Sequence, residues 1–132
     1  MAFLRQYEIL IKKAKSDLKA GKNLLEDFAN GDDELDLETI MFHFQQCAEK
    51  LLKSILIYNK HHIVKTHDIE DLILTIQDNN LEIISDVNKL IPLTEYAVEG
   101  RYAVIHDDLD DTDKYIKILD ELLIYVHNIT NK

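Results

Sequence analysis

The stretch Phe42–Leu56 constrains the fold more than any other part of the chain. Met41, Phe44, Ala48, Leu51, Leu52 and Ile55 recur at helical spacing, and Gln45, Gln46, Glu49, Lys50 and Lys53 fall among them. This is the period of an amphipathic α-helix. Such a helix must bury its apolar stripe against other elements. Three glycines and one proline in 132 residues are too few for a turn-rich β fold, so the partners are expected to be helices.

The rest of the chain repeats the pattern. A first helix is predicted from about Phe3 to Phe28. Its stripe is Phe3, Tyr7, Leu10, Ile11, Ala14, Leu18, Leu25 and Phe28, and Lys12, Lys13, Lys15, Lys19 and Lys22 occupy its other faces. Gly31 suits its C-terminal cap. The second helix runs from about Leu35 to Lys60. A short third helix starts near Thr66 as N-cap, with Asp68, Glu70 and Asp71 in the first turn, where acids are favoured. Ile69, Leu72, Ile73 and Ile76 form its apolar face. Leu81, Ile84, Val87, Leu90 and Ile91 predict a fourth helix ended by Pro92, resuming over Leu93–Tyr102. Asp107–Asp113 reads as acidic and irregular. A last helix follows, with Tyr115, Ile118, Leu119, Leu122, Val126 and Ile129 as its stripe. The expectation is all-α: a single domain over residues 1–132, an antiparallel bundle of about five helices, mostly up-down.

No apolar run reaches the roughly 18 residues that a membrane helix needs, and Met1–Glu8 has no signal-peptide pattern. Cys47 is the only cysteine, which leaves no disulfide framework or multi-cysteine zinc site. A cytoplasmic protein is the simplest reading, with Cys47 a small core residue. The formal net charge is −10, with arginine only at Arg5 and Arg101. Nucleic-acid affinity rests on clustered Lys and Arg, so any such role needs a local basic patch or a partner that supplies one.

Four segments in order carry a family resemblance. They are Ala14-Lys15-Ser16-Asp17-Leu18, then Gln45-Gln46-Cys47-Ala48-Glu49-Lys50-Leu51-Leu52-Lys53, then Lys65-Thr66-His67-Asp68-Ile69, and finally Tyr96 to Tyr102 with Arg101 near its end. Together they resemble HEPN domains: the first-helix Ala-x-x-Asp-Leu, the second-helix Gln-Gln-x-Ala-Glu-Lys-x-Leu-Lys, a Thr-His-Asp-Leu turn, and a Tyr-Ala-x-x-x-Arg-Tyr segment before the last helix. The resemblance implies a helical domain that forms a homodimer and acts with a nucleotidyltransferase partner in a two-gene, toxin–antitoxin-like module. Exposed aromatics such as Tyr58 and Tyr96 are expected to give a dimer its surface.

Many HEPN proteins are metal-independent endoribonucleases with an Arg-x(4–6)-His motif in this part of the chain. Arg101 and His106 have that spacing, and the residue types suit the chemistry. A histidine moves a proton near neutral pH. A guanidinium stabilises negative charge on a phosphorane-like transition state. Tyr102 is placed to stack on a base or to position Arg101. Three positions depart from the family patterns: Tyr102 where active members usually carry a polar residue, Ala103 where a related branch carries proline, and Asp108 where toxins of this type often carry a tyrosine that the partner modifies. On an unbroken helix, side chains five residues apart point about 140° apart, so Arg101 and His106 converge only if the helix breaks or a dimer cleft wraps around both.

The remaining polar residues have plainer readings. Gln46 and Glu49 lie at the core-facing edge of the second helix and need partners; a Glu49–Arg101 ion pair is one arrangement. His67 and Asp68 read as a capped helix start, or alternatively as contacts to a nucleotide phosphate. His43 reads as a packed or partly exposed histidine. His61, His62 and His127 suit helix C-termini. No metal site and no cofactor are expected. Two functions stay open: an endoribonuclease using Arg101 and His106, with RNA as substrate, or a non-catalytic module that binds a nucleotide or a protein and holds Arg101 structurally.

Overall fold

The computed structural model describes residues 4–62, 65–97 and 109–131. Among them are four α-helices, one 3₁₀ helix and no strand: α1 (Gln6–Ala29), α2 (Leu37–Tyr58), α3 (Ile69–Asp78), the 3₁₀ helix (Ser85–Tyr96) and α4 (Leu109–Thr130). No described helix is long and apolar enough to cross a membrane.

The core is organised on α2. Ile40, Met41, Phe44, Cys47, Ala48, Leu51, Leu52, Ile55 and Leu56 are all at most 1% exposed. Full burial of one such large aliphatic side chain contributes about 2 kcal/mol, whereas an exposed pair such as Lys89–Asp86 contributes about 0–1 kcal/mol. Apolar packing on α2 therefore dominates. The other described helices all pack against α2, α1 most extensively. Tyr7 meets Tyr58 edge-on, with ring centroids 5.0 Å apart, and Asp17 meets His43, so α1 and α2 run antiparallel. Lys22 meets Asp120 at 2.8 Å. Residues near Tyr7 lie beside His127 and Asn131, so α4 is also antiparallel to α1.

The helix ends follow capping chemistry. Gly31, at φ 98°, ends α1: its N–H donates to Phe28 O, and Asp32 N–H donates to Asp27 O. This is the paired bonding of a Schellman motif. Lys60 at φ 65° and Asn80 at φ 58° end α2 and α3 in the same way. Asp36 caps α2, accepting from Thr39 N at 2.7 Å.

Four expectations need correction. The N-cap of α3 is Asp68, whose Oδ1 accepts from Glu70 N and Asp71 N; Thr66 stands two residues earlier and accepts from Asp68 N. The predicted fourth α-helix is a 3₁₀ helix that starts at Ser85 and passes through Pro92. Its buried residues are Val87, Leu90, Leu93 and Tyr96. A helix with 3.0 residues per turn aligns every third side chain, so this spacing makes one straight apolar stripe, and Leu81 and Ile84 precede the helix. The acidic stretch is helical from Leu109, consistent with the preference of carboxylates for a first helical turn. Finally, Tyr96 is only 4% exposed as the last member of the 3₁₀ stripe, and Tyr58 is half-buried against Tyr7, so neither forms an exposed aromatic surface.

Candidate functional site

The polar edge of α2 and the turn before α3 make a connected cluster. Gln45 is fully buried, and the Glu49 side chain is 7% exposed. Gln46 Nε2 donates to Gln45 Oε1 at 2.7 Å. That bond points the Gln45 amide nitrogen the other way, toward Glu49 Oε1 at 3.1 Å and His67 O at 3.3 Å. His67 Nδ1 lies 2.8 Å from the same Oε1, and Lys53 Nζ donates to Oε2 at 3.2 Å. Glu49 thus accepts from an ammonium and an amide and faces the His67 imidazole, neighbours that suit an acceptor-only group.

If Glu49 supplies only lone pairs, the hydrogen between it and His67 sits on Nδ1. The His67 side chain is 66% exposed, and Nε2 has no hydrogen-bond partner among the described residues. The first N–H groups of α3 are already used: Ile69 N donates to Thr94 Oγ1, and Glu70 N and Asp71 N donate to Asp68. Asp68 serves as a cap, and this helix start is not an open anion cradle.

A second polar cluster lies along the same helix. Asp17 of α1 bonds Lys50 Nζ and lies 3.2 Å from His43 Nδ1. His43 is partly exposed, as its sequence context suggests. The sequence shows Asp17 only as the acid of the first-helix Ala-x-x-Asp-Leu motif, with no partner assigned, although an acid between Ala14 and Leu18 on a core-facing stripe requires one. Cys47 is fully buried. Burial, and then the charges of Asp17 and Asp120, push its thiol well above the ordinary range, which suits a core residue rather than a nucleophile.

Among the described residues, cationic surface is concentrated on α1. Lys12, Lys13, Lys15 and Lys19 are exposed. Lys12 and Lys15, with Glu8, line a groove of about 250 Å³ against His127 and Thr130 of α4 and Asn131 just after it. This is a local basic patch on an acidic chain. A larger groove of about 510 Å³ between the 3₁₀ helix and α4 mixes Lys89, Lys114 and Lys117 with Asp86, Asp111 and Glu121, and so has no single sign. Among the described residues, no group of three His, Cys, Asp or Glu could hold a metal ion.

Of the residues singled out in the sequence, the structure brings Gln46, Glu49 and His67 into one network through Gln45, with Asp68 beside it. Arg101, Tyr102 and His106 lie outside the described residues.

The comparisons with known proteins agree with this architecture. The HEPN domain family model matches residues 7–129. The crystal structure of ST0689, an archaeal HEPN homologue, is similar with a TM-score of 0.69 and 21% identity, over 97% of this chain and 100% of that one. At that identity the likeness concerns the fold. No curated protein matches the chain. With a match over nearly its whole length, the chain belongs to the HEPN domain family.

Proposed function

We propose that this HEPN-domain protein is a metal-independent endoribonuclease, cytoplasmic and homodimeric, acting with a nucleotidyltransferase partner that restrains it. The observation that carries the reading is the family match over residues 7–129, which encloses the Arg101-x4-His106 pair. In this reading, a ribose 2′-oxygen attacks the adjacent phosphorus as its proton leaves. The bond from phosphorus to the 5′-oxygen breaks, and that oxygen takes up a proton. The products are a 2′,3′-cyclic phosphate and a 5′-hydroxyl. His106 moves a proton, Arg101 holds the charge on the phosphoryl oxygens, and Tyr102 positions Arg101 or stacks on a base. The exposed lysines of α1 supply the local positive charge that a chain of net charge −10 otherwise lacks. The test is cleavage of a structured RNA in EDTA by the wild type beside Arg101→Ala and His106→Ala; equal activity in all three sinks the assignment.

A second reading, a non-catalytic nucleotide- or protein-binding module, is favoured by the acidity and by the Glu49 network, a fully partnered buried carboxylate of the kind that serves structure. It predicts nucleotide or partner binding without cleavage, and AMP binding by a preparation that leaves RNA uncut separates the two.

A further inference from the structure

The exposed nitrogen of His67 has no role in the reaction described above. Its environment is built. A buried carboxylate holds Nδ1 at 2.8 Å. The Gln45 amide ties both that carboxylate and the His67 carbonyl to α2. Lys53 occupies the second carboxylate oxygen. The ring is fixed at one nitrogen and presented to solvent at the other, with a side chain 66% exposed. When a histidine donates from Nδ1 to a carboxylate, its neutral form carries a bare lone pair at Nε2. Free imidazole would distribute its proton between both nitrogens; here the carboxylate decides.

We propose that Glu49 and His67 form a carboxylate–imidazole dyad whose Nε2 takes a hydrogen bond from a ribose 2′-hydroxyl of bound RNA. The proposal rests on the ribonuclease reading for its substrate class, although binding at His67 needs no cleavage. The partner is a hydroxyl rather than a phosphate diester because Nε2 of the Nδ1–H tautomer is an acceptor and needs a donor, which a phosphate diester lacks. The 2′-hydroxyl is also the group that distinguishes RNA from DNA, so the dyad would discriminate between them at one nucleotide.

The test uses the full ¹⁵N-labelled chain and long-range ¹H–¹⁵N spectra of its histidines. In the wild type, neutral His67 is expected as the Nδ1–H tautomer; finding Nε2–H overturns the dyad without need of any variant. A single-stranded RNA hexanucleotide should then shift the His67 Nε2 resonance, and the DNA of the same sequence should not. His67→Asn keeps a donor near the Nδ1 position and removes Nε2; it should lower RNA affinity at least fivefold, to the level of DNA. Equal shifts from RNA and DNA, or none from either, overturn the proposal. RNA that binds at His67 and is not cleaved supports the dyad and removes the ribonuclease reading. Cleavage without any response at His67 removes only the dyad.

Discussion

Gly21 of α1 lies directly against the ring of Phe44 of α2. A Cβ built on Gly21 would stand 2.5 Å from Phe44 Cε1 and 2.9 Å from Cδ1. Phe44 is fully buried and has no solvent to swing into. Helix propensity alone would make Gly21→Ala stabilising by about 1 kcal/mol, but overpacking a core costs about 1–3 kcal/mol. The expected result is a net loss of about 1 kcal/mol in urea unfolding. A variant more stable than the wild type would show that α1 and α2 can separate at this crossing.

Lys60 ends α2 in a left-handed conformation at φ 65° with its side chain exposed. A side chain in that region costs about 1–2 kcal/mol, and glycine adopts it freely at some cost in unfolded-state entropy. Lys60→Gly should therefore raise the urea midpoint by the equivalent of about 0.5 kcal/mol. A lowered midpoint would mean that the lysine makes a contact worth more than the strain.

The helical periods of α1, α2, α3 and α4 were legible because each carries an apolar stripe long enough to show its period. Residues 81–96 misled for a physical reason: periods of 3.0 and 3.6 residues share the i, i+3 step of a single turn, and only a longer run such as Val87, Leu90, Leu93, Tyr96 separates them. Pro92 then reads as a terminator although the 3₁₀ helix passes through it. At the candidate site, Glu49 was legible as a residue in need of a partner. The identity of that partner was not, because His67 is 18 residues away and reaches it only through the turn before α3. The partners of Asp17, on a helix more than 25 residues on, were hidden for the same reason.

Glu49 is expected to matter for stability whatever the protein does. Glu49→Ala leaves the Lys53 ammonium, 13% exposed, without its acceptor and the buried Gln45 amide with only the His67 carbonyl. Breaking one side of a buried pair costs about 3–5 kcal/mol; the exposure of His67 places this case at the lower end. Denaturant unfolding checks it. A loss below about 1 kcal/mol would mean that the network is solvated rather than packed.

Cys47 should be inert in the native state. Burial first, and then the charges of Asp17 and Asp120, raise its thiol well above the ordinary range. Iodoacetamide at pH 8 should leave the folded chain unmodified over hours and label it within minutes in concentrated urea. Rapid labelling without denaturant would indicate that α2 opens from the core.

The most direct measurement of the functional claim is the chemistry of the RNA ends. Wild-type protein incubated with a structured RNA in EDTA should leave 2′,3′-cyclic phosphate and 5′-hydroxyl termini, and both Arg101→Ala and His106→Ala should abolish them while remaining folded. No cleavage by the wild type, or the same ends produced equally by all three proteins, would contradict the account and leave a binding module built on the same helices.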